Sequence, residues 1–197
     1  MKKTFLAIVT TLIFLFIHFP ATADKTSIQG KWRGYDDSGL LTLCLGNKGE
    51  LIYIHKSTVS TVTKMGSYTI DGQTITLKSD DDFTATFSFL RNGDTLNILN
   101  FDSGIAYQMS KSQWDTPLDL LGTWKTDIED VKVSISFMED GSYTRDNTFS
   151  GIYFVDEPIL YLVENEGSSI LLYFINNDTF SFIADGSSAP NVFKRSN

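Results

Sequence analysis

The chain has one cysteine and two histidines among 197 residues, too few for most of the reactive centres that rely on them. Cys44 alone cannot form an intramolecular disulfide, so nothing covalent staples the fold. It sits in Leu41-Thr-Leu43-Cys-Leu45, in the polar phase of an alternating strand. That leaves either a half-exposed thiol or a small packed residue, and packing is the better reading. His18 falls in a leader-like segment, so His55 is the single histidine of the remaining chain. A Ser-His-Asp or Cys-His nucleophile would have to use it, yet no G-x-S-x-G elbow is present. His55 follows Leu51 and Tyr53 in phase, as a partly packed or hairpin-flanking residue does. One His and one Cys cannot build a zinc site. Asp80-Asp81-Asp82 runs on into Phe83-Thr-Ala instead of the alternating ligands, central Gly and distal Glu of a calcium loop. A charged hairpin turn is expected there, and no metal or cofactor anywhere. Paired carboxylates for glycoside chemistry assemble in space and carry no sequence mark here. The reading is that the chain is not an enzyme.

Long hydrophobic runs are also scarce. Only Phe5 to Phe19 is apolar at length, behind the basic Lys2-Lys3 and ahead of Pro20-Ala21-Thr-Ala23. A spanning helix needs roughly 20 residues, and this run is shorter. The pattern predicts a signal peptide over 1–23, cleaved after Ala23, a mature chain starting at Asp24, and a periplasmic or secreted destination. No Cys follows the cleavage site, so no lipid anchor is expected, nor any stable membrane insertion once the signal is gone. Basic charge is in deficit as well: the formal net charge of −8 becomes −10 when Lys2 and Lys3 leave. An acidic surface argues against nucleic acid, and neither a glycine-rich phosphate cradle nor basic–aromatic interleaving is present. A basic envelope or extracellular protein fits that charge better as a partner.

The chain does contain a duplication. Gly30-Lys-Trp32 returns as Gly122-Thr-Trp124, and each Trp precedes a turn glycine, Gly49 or Gly141, by 17 residues. Gly66-Ser-Tyr68 returns as Gly151-Ile-Tyr153, and Asn92-Gly-Asp94-Thr as Asn177-Asp178-Thr. Each copy closes on an aromatic and a basic residue, Tyr107 with Lys111 and Phe193 with Lys194. Period-2 alternation (Val131, Val133, Ile135, Phe137; Phe83, Ala85, Phe87, Phe89) and turn signals at short spacing predict β structure almost throughout. No run carries a helical period. With about eight residues between turns, successive strands must pair antiparallel. The fold class expected is all-β: two tandem meander barrels of about eight short strands each. They occupy 24–111 and 120–197, with 112–119 as linker, where Pro117 breaks any strand. Trp114, outside both barrels, is expected to wedge between them.

The copies differ in two places. Gly49 to Gly66 spans 17 residues but Gly141 to Gly151 spans 10, so the first copy has a larger third hairpin. Its extra residues fall around Lys56, Ser57, Thr58, Val59, Ser60, Thr61, Val62, Thr63 and Lys64, the candidate partner-binding tip. The second copy is apolar in both phases over Ile159–Val163 and Ile170–Ile175. Strands like these must be covered on both faces, and the first copy together with Trp114 is the expected cover.

A G-x-W strand opening an eight-stranded meander, with a basic residue near its end, resembles the lipocalin-like, calycin-type barrels found as small bacterial exported domains. The resemblance implies that Trp32 and Trp124 lie across a closed barrel end. It also implies that Lys111 covers the first ring and Lys194 or Arg195 the second, with Gly30 and Gly122 as structural positions. Strand units of about ten residues predict short barrels filled by side chains. The functional expectation is an exported envelope module that binds or inhibits a protein partner through loops. The alternative is a carrier of a small apolar ligand or lipid, as the resemblance implies, and an unrecognised hydrolase comes third.

Overall fold

The computed structural model of the chain describes residues 28–36, 39–100, 104–128, 131–164, 167–184 and 186–196. The expected leader over 1–23, the expected cleavage site and Asp24 lie outside the described residues. The described chain is all β. The first barrel consists of β1 (Gly30–Asp36), β2 (Gly39–Leu45), β3 (Glu50–Ser57), β4 (Thr61–Asp71), β5 (Thr74–Ser79), β6 (Thr84–Asn92), β7 (Thr95–Asn100) and β8 (Ala106–Ser112). The second consists of β9 (Gly122–Ile128), β10 (Val131–Phe137), β11 (Ser142–Arg145), β12 (Phe149–Asp156), β13 (Ile159–Glu164), β14 (Gly167–Asn176), β15 (Thr179–Ala184) and β16 (Asn191–Arg195). Each strand pairs antiparallel with its sequence neighbours, and β8 closes on β1 as β16 closes on β9. Closure leaves neither sheet an edge.

Period-2 alternation turns one phase of each strand inward. The first core gathers Trp32, Leu43, Tyr68, Ile75, Phe87, Leu96 and Met109 among others. The second gathers Trp124, Ile135, Tyr153, Leu160, Leu171, Phe180 and Phe193. The duplicated marks do equivalent work. Each Trp is fully buried, and its indole N–H donates to the carbonyl four residues back, Ile28 or Leu120, at 2.8 Å. The Tyr68 phenol donates to the Gly46 carbonyl and the Tyr153 phenol to the Met138 carbonyl, both at 2.7 Å. Gly30 and Gly122 take φ of 120° and 107°, values that disfavour a side chain. A Cβ there would also press at 3.3 Å on the end-strand cation, Lys111 or Arg195.

The barrels pack on each other through their outward phases. Cys44, Ile52 and Ile54 of β2 and β3 bury against Ile152, Phe154, Tyr161 and Val163 of β12 and β13. The connecting segment, 113–121, is pinned at both ends. Lys31, buried and 5.4 Å above the Phe154 ring, holds Asp115 at 2.6 Å, and Arg33 reaches the same carboxylate at 3.1 Å. Trp114 packs on the shared core and against the β10–β11 turn so closely that a Cβ on Gly141 would sit 2.1 Å from its ring. Lys56 pairs with Asp156 across the barrels at 2.6 Å. Cys44 lies wholly inside this interface, where burial pushes its thiol up to about 12.

Candidate functional site

The second barrel is open at one end and holds a cavity of about 540 Å³, within the size range of small-molecule sites. This differs from the expected side-chain filling, and aligning the two barrels through their strand registers gives the reason. Around the same rim the first barrel carries Tyr53, Phe87 and Tyr107, where the second carries Arg145, Leu171 and Asn191. Tyr53 and Tyr107 pack on the first core and, with Phe87, plug it. Their replacements are shorter or polar, so the matching volume stays empty.

The floor and walls of this cup are apolar: Ile135, Leu162, Leu171, Phe182 and Phe193 line it. Trp124 and Phe180 lie beneath, their ring centroids 5.5 Å apart. Its polar equipment is one connected group. Glu164 extends from the end of β13 and accepts from the Tyr143 phenol at 2.7 Å and from Arg145 Nη2 at 3.0 Å. The guanidinium lies 4.6 Å from the Phe149 ring centroid. Burial and the hydrogen bond to Glu164 both hold the Tyr143 phenol well above its ordinary range. The group is thus a neutral donor, a carboxylate and a guanidinium in fixed geometry. Asn191, Ser168 and Ser169 complete the rim. Among the described residues no three His, Cys, Asp or Glu side chains come together as a metal would require.

The residues singled out in sequence fall elsewhere. Lys56 to Lys64 span the end of β3, the three-residue turn 58–60 and the start of β4. Here the larger hairpin is built from longer strands and not from a longer turn. β3 has 8 residues against 4 in β11, and β4 has 11 against 8 in β12, which accounts for all seven extra residues as strand. Ser57 Oγ ties the turn by accepting from the Ser60 amide at 3.0 Å. Val59 (90% exposed) and Val62 stay in solvent, as do Thr58, Ser60 and Thr61, while Thr63 is half-buried. Lys56 is committed to Asp156 and Lys64 to Asp81. His55 is half-buried on β3, and Asp80 and Asp81 form the expected charged turn between β5 and β6.

Of the ring-covering cations, the one over Trp32 needs correction, and the one over Trp124 is the second of the two expected residues. Arg91, from β6, lies 5.8 Å from the Trp32 centroid, while Lys111 is paired opposite Trp32 across β1 and β8. Over Trp124 the cation is Arg195 at 4.2 Å, and Lys194 points outward into solvent. Arg195 also donates to the Leu121 carbonyl at 2.7 Å and to the Asp119 carbonyl, closing the barrel end.

Sequence reasoning passed over Arg145 and Glu164, although a signal existed. Both fall in the inward phase of their strands, Arg145 two residues after Tyr143 and Glu164 two after Leu162. An ionisable residue in a core phase marks either a buried pair or a site. Compared with known proteins, the sequence matches no family model, and no curated protein matches it significantly.

Proposed function

We propose that the chain is an exported binding protein whose second barrel takes up a small, mostly apolar ligand with a polar end, as a lipocalin-like carrier does. The observation that carries this reading is the unfilled cup with Tyr143, Glu164 and Arg145 fixed in its wall. A protein that needed the second barrel only as scaffold could plug it, as the first is plugged. The apolar floor supplies the burial, about 25 cal/mol per Å² of apolar ligand surface. The Glu164–Arg145 pair and Asn191 meet the ligand's polar end at the mouth. Leader removal and export set the compartment in this proposal.

The test is mass spectrometry of small molecules released from the purified protein, followed by titration with amphipathic compounds and tryptophan fluorescence as readout. Transplanting the first barrel's plug, Leu171→Phe with Asn191→Tyr, is expected to abolish uptake and leave the β circular dichroism intact. A protein that carries nothing and responds to no compound, or a plugged variant that still binds, would overturn the reading.

A second reading has its own support. The apolar, fully exposed tip at Val59 suits a protein partner, and the acidic surface favours a basic one. Val59→Asp with Val62→Asp is expected to end capture of that partner and spare small-ligand uptake.

A further inference from the structure

The outer face of the second barrel carries an apolar stripe left in solvent. Ile170, Leu172 and Phe174 alternate along β14 with inward Leu171 and Tyr173, and they remain 45%, 39% and 54% exposed. Ile159 on β13 and Ile183 on β15 flank Leu172 in register, and Val192 carries the stripe onto β16. The expected cover by the first barrel therefore buries the apolar residues of β13 and touches only the start of β14: Tyr161 is buried in the inter-barrel core, while Ile170, directly opposite it, is not. The barrel itself has no need of this stripe. At the matching outward positions β6 carries Thr86, Ser88 and Leu90, and the first barrel closes equally well.

Two features say what fits. The stripe is continuous with an interface that already packs one apolar sheet face of this chain on another. Its two ends also bear opposite charge. Asp80 accepts a hydrogen bond from Ser168 before the stripe begins, and exposed Lys194 lies opposite Thr179, beyond Phe174. A two-fold axis lying in this face, perpendicular to the line from Asp80 to Lys194, brings stripe onto stripe and each lysine over the other copy's aspartate. Such a contact is self-complementary and closes on two copies. An anionic lipid surface fits less well, because the chain is acidic overall and the Asp80–Asp82 turn stands beside the stripe.

We propose that the protein forms a two-fold dimer through the outer face of β14, with Ile170, Leu172 and Phe174 at its centre and Asp80–Lys194 pairs at its corners. The cup opens inside the barrel, and the two sites come nearest at Ser168, which stands on the cup's rim and holds the corner residue Asp80. The experiment is sedimentation velocity of the full mature chain over a wide concentration range, beside the double variant Ile170→Thr/Leu172→Ser. That variant carries the first barrel's own residues at these positions and is expected to fold with the same circular dichroism and to lose the dimer. Lys194→Glu and Asp80→Lys are each expected to weaken association, and mixing the two single variants to restore opposite charges at both corners and recover a heterodimer. A wild-type chain that stays monomeric at every concentration overturns the proposal, as does a dimer untouched by the double variant. Stripe-dependent sedimentation with phosphatidylglycerol vesicles by a monomeric protein assigns the stripe to lipid instead.

Discussion

The first barrel is filled at its rim by Tyr53, Phe87 and Tyr107; the second is open there, and beyond the shared interface it carries a further apolar stripe on its outer face. Their frames agree strand for strand apart from the longer β3–β4 hairpin, so this difference lies in side chains. Where β12 and β13 present Ile152, Phe154, Tyr161 and Val163 outward, the matching positions on β4 and β5 are Ser67, Thr69, Thr76 and Lys78. Where β2 and β3 offer Cys44 and Ile52, β10 and β11 offer Ser136 and Thr144. Each barrel is therefore apolar on a different flank, and one head-to-tail contact satisfies both. Polar residues at the two remaining flanks stop the series at two, where a strict repeat would continue as a filament. Duplication supplied the frame, and divergence of exposed and rim positions supplied one plugged barrel and one with an open cup.

The strongest challenge to that equivalence is removal of the two plugs. Trp32→Ala and Trp124→Ala are each expected to cost about 3–5 kcal/mol in urea unfolding. A much smaller loss at Trp124 would mean that the open barrel is not braced from below as the sealed one is. Next comes the interface. Phe154→Thr, which installs the residue type found at Thr69, is expected to cost about 3 kcal/mol. It is also expected to split one calorimetric transition into two, and a single unshifted transition would contradict a shared core.

A smaller effect concerns alkali. Burial raises the Tyr68 and Tyr153 phenols from 10.0 to about 12. The folded state thus holds these protons more tightly than the unfolded chain. Stability is complete below pH 10 and declines as pH rises through 12. Tyr68→Phe and Tyr153→Phe are each expected to flatten that decline to a similar extent in pH-dependent melting. Unequal flattening would separate the two copies energetically. The smallest expected difference lies at the ring cations. Arg195→Ala, removing the closer guanidinium and its carbonyl bonds, is expected to cost about 1–2 kcal/mol, and Arg91→Ala under about 1 kcal/mol. Equal costs would show that neither the shorter distance over the indole nor the carbonyl bonds of Arg195 add stability.

Much of this was legible in the chain because duplication repeats its own punctuation. Trp32 and Trp124, Gly49 and Gly141, Tyr68 and Tyr153 mark the same places twice, and alternation between them fixes strand number and inward phase. The cup was harder to read. Arg145 and Glu164 stand 19 residues apart and meet only because β11, β12 and β13 lie side by side. Arg91 reaches Trp32 across the barrel end from β6, a contact that no local spacing encodes. Whether the seven extra residues of the third hairpin lengthen its turn or its strands was not legible, because β-branched and polar residues serve both alike.

By itself, the sequence determined two all-β units, their antiparallel meander order, their buried tryptophans and the lack of any disulfide. These follow from periodicity, turn chemistry and residue counts, which act over a few neighbours. Tertiary structure alone decided which apolar flank is covered and which stays in solvent, which barrel end is plugged, and which cation lies over each indole. Those outcomes depend on side chains from distant strands competing for one volume or one surface, and a strand's own pattern reads the same whether its outer face meets water or another barrel.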